Sequence, residues 1–122
     1  MVELFFQLVP REQIIGITGT LGKGTCCTLL YTMLTDAGLP AVLGGNVGTP
    51  VLDTVDAVDS KTWIVLELSS FQLSTLRTSP GCAVVLRTTS EHLDWHVSQE
   101  EYWDHKANLV RYQEHEDLTV FC

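Results

Sequence analysis

The sequence predicts an α/β fold built on a doubly wound, mostly parallel sheet. Three observations point there. Five short segments, residues 12–18, 40–44, 62–68, 82–87 and 118–122, read as strands, and several are nearly continuous apolar runs such as TWIVLEL, the pattern of strands buried on both faces. Helical patterns at 24–37 and 98–113, with weaker ones at 50–57 and 70–77, fall between them, and alternation of the two element types favours parallel crossovers. A glycine-rich turn, GITGTLGKGT at residues 16–25, joins the first strand to the first long helix.

Each element has its own justification. Ile14, Ile15 and Ile17 form a short buried strand that runs into Gly16, Gly19, Gly22 and Gly24. In the helix that follows, Cys26, Leu29, Leu30, Met33 and Ala37 recur at helical spacing and predict an apolar stripe packed on the sheet, with Gly38 as terminator and Pro40 just beyond. GGNVG at 44–48 is a turn after the second strand. Ser98 and Glu101 have the spacing of a capping box, so a helix starts there. On it Tyr102, Leu109 and Val110 share one face, and Lys106 falls on the same face.

Composition narrows the function. The chain has 122 residues, the length of one domain with a sizeable core. Its 7 basic and 15 acidic residues give a formal net charge of −8, which excludes a nucleic-acid groove and an anionic membrane surface as partners, since both need a basic patch. Any nucleotide site must be locally basic. Cys26, Cys27, Cys82 and Cys122 have no metal-ligand spacing and make a poor disulfide framework, the usage of reduced thiols in a cytoplasmic protein. MVELFFQLVP lacks the basic start and cleavage site of a signal peptide, and no apolar run reaches membrane-spanning length.

In a parallel sheet, ligands gather at the carboxyl ends of the strands, which selects residues 19–25, 44–48, 67–70 and 88–97. The first of these suits an anion. Glycines bring successive N–H groups close to phosphate oxygens at a helix N-terminus. Lys23 adds a full positive charge, and the Thr25 hydroxyl is a hard oxygen suited to magnesium. The commonest P-loop places the hydroxyl residue directly after the lysine, whereas Gly24 stands there in this chain. The alternative is an ordinary glycine-rich strand-to-helix turn.

Glu67 is the lone acid of an apolar strand and falls at its carboxyl end. Burying it unpaired is costly, and a magnesium ion shared with nucleotide phosphates resolves the cost; hydrogen bonds from nearby backbone N–H groups are the alternative. An inward Lys106 has its pKa lowered by burial, which makes the neutral amine available for chemistry, unless its stem packs on the core while the ammonium reaches water. His92 and His96 flank Asp94, and either is a metal ligand or a plain loop histidine.

GITGTLGKGT, GGNVG, VLELSSFQL and EHLDWHVSQEEYWDHKANLV, in this order and over nearly the whole chain, resemble the central ATP-binding domain of the Mur ligases. ELSSFQL with GGNVG resembles the members that add D-glutamate to UDP-N-acetylmuramoyl-L-alanine in peptidoglycan precursor synthesis. The resemblance implies a P-loop NTPase-like domain and, residue by residue, a site. Gly19, Thr20, Gly22, Lys23, Gly24 and Thr25 would bind ATP. Thr25, Glu67, His92 and a carbamylated Lys106 would hold Mg2+. Asn46, Ser69 and Gln72 would lie near the nucleotide-sugar substrate, and Lys23, Glu67, His92 and Lys106 would carry the catalysis.

Four positions depart from the family pattern: Leu21 for a usually polar residue, Arg87 for a common asparagine, Glu91 for aspartate and Val97 for glycine. The resemblance also implies a truncated central domain over residues 1–122, with the UDP-binding and amino-acid-binding domains of such ligases absent and the isolated chain inactive. The alternatives are a folylpolyglutamate synthase-like ligase, whose loop also places glycine after the lysine, and a non-catalytic nucleotide-binding module.

Overall fold

The computed structural model describes residues 1–46, 48–89 and 98–122. Helix α1 (Val2–Leu8) comes first, followed by β1 (Ile14–Thr18), α2 (Lys23–Asp36), β2 (Ala41–Gly45), β3 (Trp63–Glu67), α3 (Ser70–Ser74), β4 (Cys82–Val85), α4 (Gln99–Arg111) and β5 (Leu118–Phe121). The strands form one sheet in the order β2-β3-β1-β4-β5, and every pairing is parallel. The α/β architecture read from the sequence is the one found, and each strand lies within two residues of its expected bounds. The two weak helical patterns are shorter or tighter than expected: Val51–Ala57 is a 3-10 helix and α3 has five residues.

Two apolar clusters sandwich the sheet, because alternate strand residues point to opposite faces. Ile14, Ile64, Leu66 and Ala83 pack under α1, α3 and α4 through Phe5, Phe6, Leu73 and Leu109. Ile15, Ile17 and Val65 pack under α2 with the buried Cys27. Gly16 governs how closely α4 approaches: a Cβ there would sit 2.8 Å from Leu109 Cδ1 and 3.0 Å from Pro80 Cγ. The missing side chain lets α4 come down onto β1, and with it the residue one turn earlier, Lys106.

The stripe expected on α2 is corrected. Leu29 and Met33 are 60% and 59% exposed and Ala37 is exposed, whereas Cys27 is buried and Leu30, Tyr31 and Leu34 pack beside it with Cys26. Both sets have helical spacing, so periodicity alone could not choose between them. Helix α1 was not foreseen; it buries Val2, Phe5, Phe6 and Val9, an i, i+3, i+4, i+7 pattern.

At the amino end of the sheet the polar groups are paired. Arg11 donates to Asp117 at 2.6 Å and faces Glu114 at 3.4 Å and Glu12 at 3.7 Å, joining the approach to β1 with the approach to β5. The Gln13 amide donates to the carbonyls of Asp59 and Thr62, both at 2.7 Å.

Candidate functional site

The carboxyl ends of β1 and β3 are neighbours in register, with Ile17 opposite Glu67, and the turn after β1 leads straight into α2. Gly22 is the N-cap of α2, with φ 83° in the left-handed region that glycine adopts freely, and no side chain caps the helix. The first intrahelical bond is Cys26 N–H to the Gly22 carbonyl, 2.9 Å. The amides ahead of it, from Lys23 to Thr25, therefore lie at an uncapped helix start, where both the open donors and the helix dipole favour an anion.

Thr20 anchors the loop. Its N–H donates to the Arg87 carbonyl at 3.2 Å, its hydroxyl exchanges bonds with the Thr89 backbone at 2.8 and 3.0 Å, and Oγ1 lies 3.1 Å from the Tyr102 hydroxyl. Lys23 Nζ donates to the Thr20 carbonyl at 3.0 Å, folding its charge over the loop. Thr25 is exposed on the first turn of α2. Leu21 and Arg87, two of the departures from the family pattern, are also exposed, so neither side chain occupies the interior of the turn.

Lys106 points inward as the helical spacing predicts. The residue is 6% exposed; Nζ donates to Gly19 O at 3.0 Å and Thr18 Oγ1 at 3.2 Å, and lies 4.8 Å from the centre of the Tyr102 ring. Burial, with a smaller push from the Lys23 charge, lowers its pKa from 10.5 to about 8. Thr18 is the residue that sequence reading missed. Its hydroxyl accepts from Lys106 and donates to the Leu68 carbonyl at 2.8 Å, tying α4, β1 and the end of β3 together. The available signal was a lone hydroxyl at the end of an apolar strand.

Glu67 is 7% exposed, and among the described residues it makes no ion pair. Its Oε2 is buried with no hydrogen-bond partner among the described residues. Lys23 and Glu67 both act on Cys27, whose thiol is pushed up to about 12, chiefly by burial; the Glu67 charge raises it further and the Lys23 charge opposes. The two side chains thus converge on one region. A buried carboxylate oxygen with no donor is unfavourable unless a cation completes it. A carboxylate is a hard oxygen donor, which fits magnesium. Among the described residues no three His, Cys, Asp or Glu side chains group together as a metal site.

The expected substrate residues have structural partners. Ser69 caps α3: its Oγ accepts from Gln72 N at 3.3 Å, while Gln72 Oε1 accepts from Ser69 N at 2.9 Å and Oγ at 3.1 Å. The full capping box is therefore here. At α4, Ser98 accepts from Glu101 N at 3.1 Å. Asn46 is exposed, and its N–H donates to the Glu67 carbonyl at 3.3 Å. Gln72 also lines a cavity of about 380 Å3 with Gly45 and Phe71. His92, His96 and Asp94 lie outside the described residues, as do Glu91 and Val97. Among the described residues, then, the glycine-rich loop and Lys106 come together through Gly19 and Thr18, and the end of β3 that carries Glu67 pairs beside them with β1; Asn46, Ser69 and Gln72 flank the end of β3.

All four cysteines are free, and no helix among the described residues is long and apolar enough to cross a membrane.

Known proteins are similar to this sequence. The chain is 47% identical over 119 residues to the UDP-N-acetylmuramoylalanine–D-glutamate ligase of Acetivibrio thermocellus, covering 98% of this chain and 25% of the relative. Its similarity to the proteins of the same name from Ruminiclostridium cellulolyticum and Nitratidesulfovibrio vulgaris is 42% identity over 98% of the chain, covering 25% and 28% of those relatives. The chain thus spans about a quarter of the length of the curated relatives it matches. The model of the Mur ligase middle domain matches residues 17–122, from the end of β1 through the glycine-rich loop, Glu67 and Lys106 to the last strand, and the chain belongs to that family.

Proposed function

We propose that these residues are the ATP-binding part of a cytoplasmic ligase that joins D-glutamate to UDP-N-acetylmuramoyl-L-alanine in peptidoglycan precursor synthesis. The observation that carries the reading is the unpartnered Glu67 Oε2 beside the uncapped start of α2, within a chain 47% identical to a ligase of that name. The relatives' names favour this substrate over the folylpolyglutamate alternative.

In this reading the substrate carboxylate attacks the γ-phosphate of ATP, the β–γ P–O bond breaks and ADP leaves. The resulting acyl phosphate is then opened by the amine of D-glutamate, with release of phosphate. The task of the protein is positioning and charge stabilisation. Amides of residues 22–25 hold phosphate oxygens, and the Lys23 ammonium turns from the Thr20 carbonyl to the terminal phosphates. Glu67 and Thr25 would hold magnesium, together with His92 and the carbamate of Lys106. Bound magnesium supplies positive charge to the transferring phosphoryl group. Lys106 contributes through its neutral form: with a pKa of about 8, roughly a fifth of it is unprotonated near pH 7.4, and that amine adds carbon dioxide and loses a proton to solvent to give an anionic carbamate. Thr18 and Gly19 orient it. Asn46, Ser69 and Gln72 border the nucleotide-sugar side.

The relatives are about four times as long as this chain, and in this reading the UDP-binding and amino-acid-binding domains lie outside residues 1–122, so the isolated chain does not ligate. The test is a chimera in which these residues replace the matching stretch of the A. thermocellus relative. ADP release that depends on both D-glutamate and the nucleotide-sugar is expected, falling at least a hundredfold in Glu67→Ala. A folded chimera that releases ADP equally without D-glutamate, or peptide-bond formation by the 122-residue chain alone, overturns the reading.

A further inference from the structure

Beside the phosphate loop, on the α2 side of the sheet, a shallow cavity of about 510 Å3 is lined by Gly22, Thr25, Leu86 and Arg87 and by two cysteines, Cys26 and Cys122. The two are far apart in sequence and come together through the fold. Cys26 is in the first turns of α2 and packs with Leu86 over the sheet. Cys122 follows β5; Phe121 lines the opposite cavity against α4, so alternation directs Cys122 to the α2 face. Neither thiol is bonded. The Cys26 thiol is pushed up, first by burial and then by Cys122 itself, a mutual influence in keeping with the shared cavity. Cys122 is exposed, and its N–H donates to Val85 O at 3.0 Å.

We propose that Cys26 and Cys122 form an oxidisable thiol pair that closes into an intramolecular disulfide across the groove next to the phosphate loop. The exposed Cys122 thiolate attacks a peroxide oxygen, the O–O bond breaks, and a sulfenic acid forms with loss of one water. The Cys26 sulfur then attacks the Cys122 sulfur; the S–O bond breaks, the S–S bond forms and a second water leaves. Overall two thiols lose two electrons and two protons to one peroxide. The bridge ties the end of β5 to α2 beside Gly22 and Thr25 and narrows the approach to the uncapped helix start. Cys27 takes no part: it is fully buried and its pKa of about 12 keeps it protonated.

The test is independent of nucleotide binding and of the ligase reading. The 122-residue chain is treated with one equivalent of hydrogen peroxide, trapped with a thiol alkylator and digested with trypsin without reduction. A peptide joining Gly24–Lys61 to Tyr112–Cys122 is expected, in a monomer two mass units lighter than the reduced chain. It is lost in Cys26→Ser and Cys122→Ser, retained in Cys27→Ser, and reversed by dithiothreitol. Circular dichroism confirms that the serine variants fold. Disulfide-linked dimers through Cys122 as the main product, sulfinic acid with no cross-link, or a bridge that survives Cys26→Ser would each overturn the proposal.

Discussion

The two ends of this sheet treat polar groups in opposite ways. At the amino end Arg11 is matched by Asp117, Glu114 and Glu12, and Gln13 by two carbonyls. Pairing holds the Asp117 carboxyl below its usual range and the Arg11 guanidinium above its own. At the carboxyl end, among the described residues, Glu67 Oε2 has no hydrogen-bond partner, Lys106 is buried against a carbonyl and a hydroxyl and pairs with no carboxylate, and no side chain caps the start of α2. Charges that serve the fold alone are satisfied by the fold. Those at the other end are left with unmet valence, which is where a ligand gains most from binding.

Breaking the approach of α4 has the largest expected effect. Gly16→Val drives a side chain into Leu109 and Pro80, costing about 2–3 kcal/mol as overpacking does; urea denaturation measures it. Because α4 carries Lys106, the same change shifts the Lys106 ammonium in the NMR spectrum. A stability loss below about 0.5 kcal/mol means that α4 does not depend on the bare backbone at Gly16.

Lys106 separates the two ends through pH. Its folded pKa of about 8 lies below the ordinary 10.5, so between those values the unfolded chain binds more protons and stability rises with pH. The charge-burial cost is fully present below pH 8 and is gone above pH 10.5. Removing the amine as Lys106→Met therefore stabilises the chain near pH 7 by about 1–2 kcal/mol. In the difference between the two proteins, the variant's advantage shrinks as pH climbs from 8 to 10. A gap that is constant over that range contradicts the buried-amine account.

The amino end yields the smallest change. Arg11→Ala removes a network whose Glu12 and Glu114 ends are exposed while the Arg11 and Asp117 side chains are largely covered; it costs about 1 kcal/mol, with most of the loss present at neutral pH and fading as Asp117 becomes protonated in acid. Its effect on nucleotide binding is nil, and any loss of Mg-ATP affinity in this variant blurs the contrast between the ends.

Much of this was legible in the sequence, and the gaps have physical reasons. The five strands are apolar runs with few alternatives, and Lys106 stood out because a cation interrupted an otherwise apolar face. Helix α2 misled because it is apolar nearly all round: the expected stripe of Cys26, Leu29, Leu30, Met33 and Ala37 and the packed set of Cys26, Cys27, Leu30, Tyr31 and Leu34 both have helical spacing, and only the sheet beneath decides that Leu29, Met33 and Ala37 stay exposed. Helix α1 carries a clean helical pattern in seven residues, too short for periodicity to announce itself. The bonds of Thr18 and Thr20 depend on strands and helices distant in the chain, so no local pattern encodes them, and Ser69 with Gln72 reads equally well as a cap or a ligand pair.

Isothermal titration of Mg-ATP into the wild-type chain, Lys23→Ala and Glu67→Ala tests the account most directly. Binding that requires magnesium in the wild type and weakens at least tenfold, about 1.4 kcal/mol, in both variants is the expected result. Equal binding by all three proteins would contradict the site at the carboxyl end of the sheet.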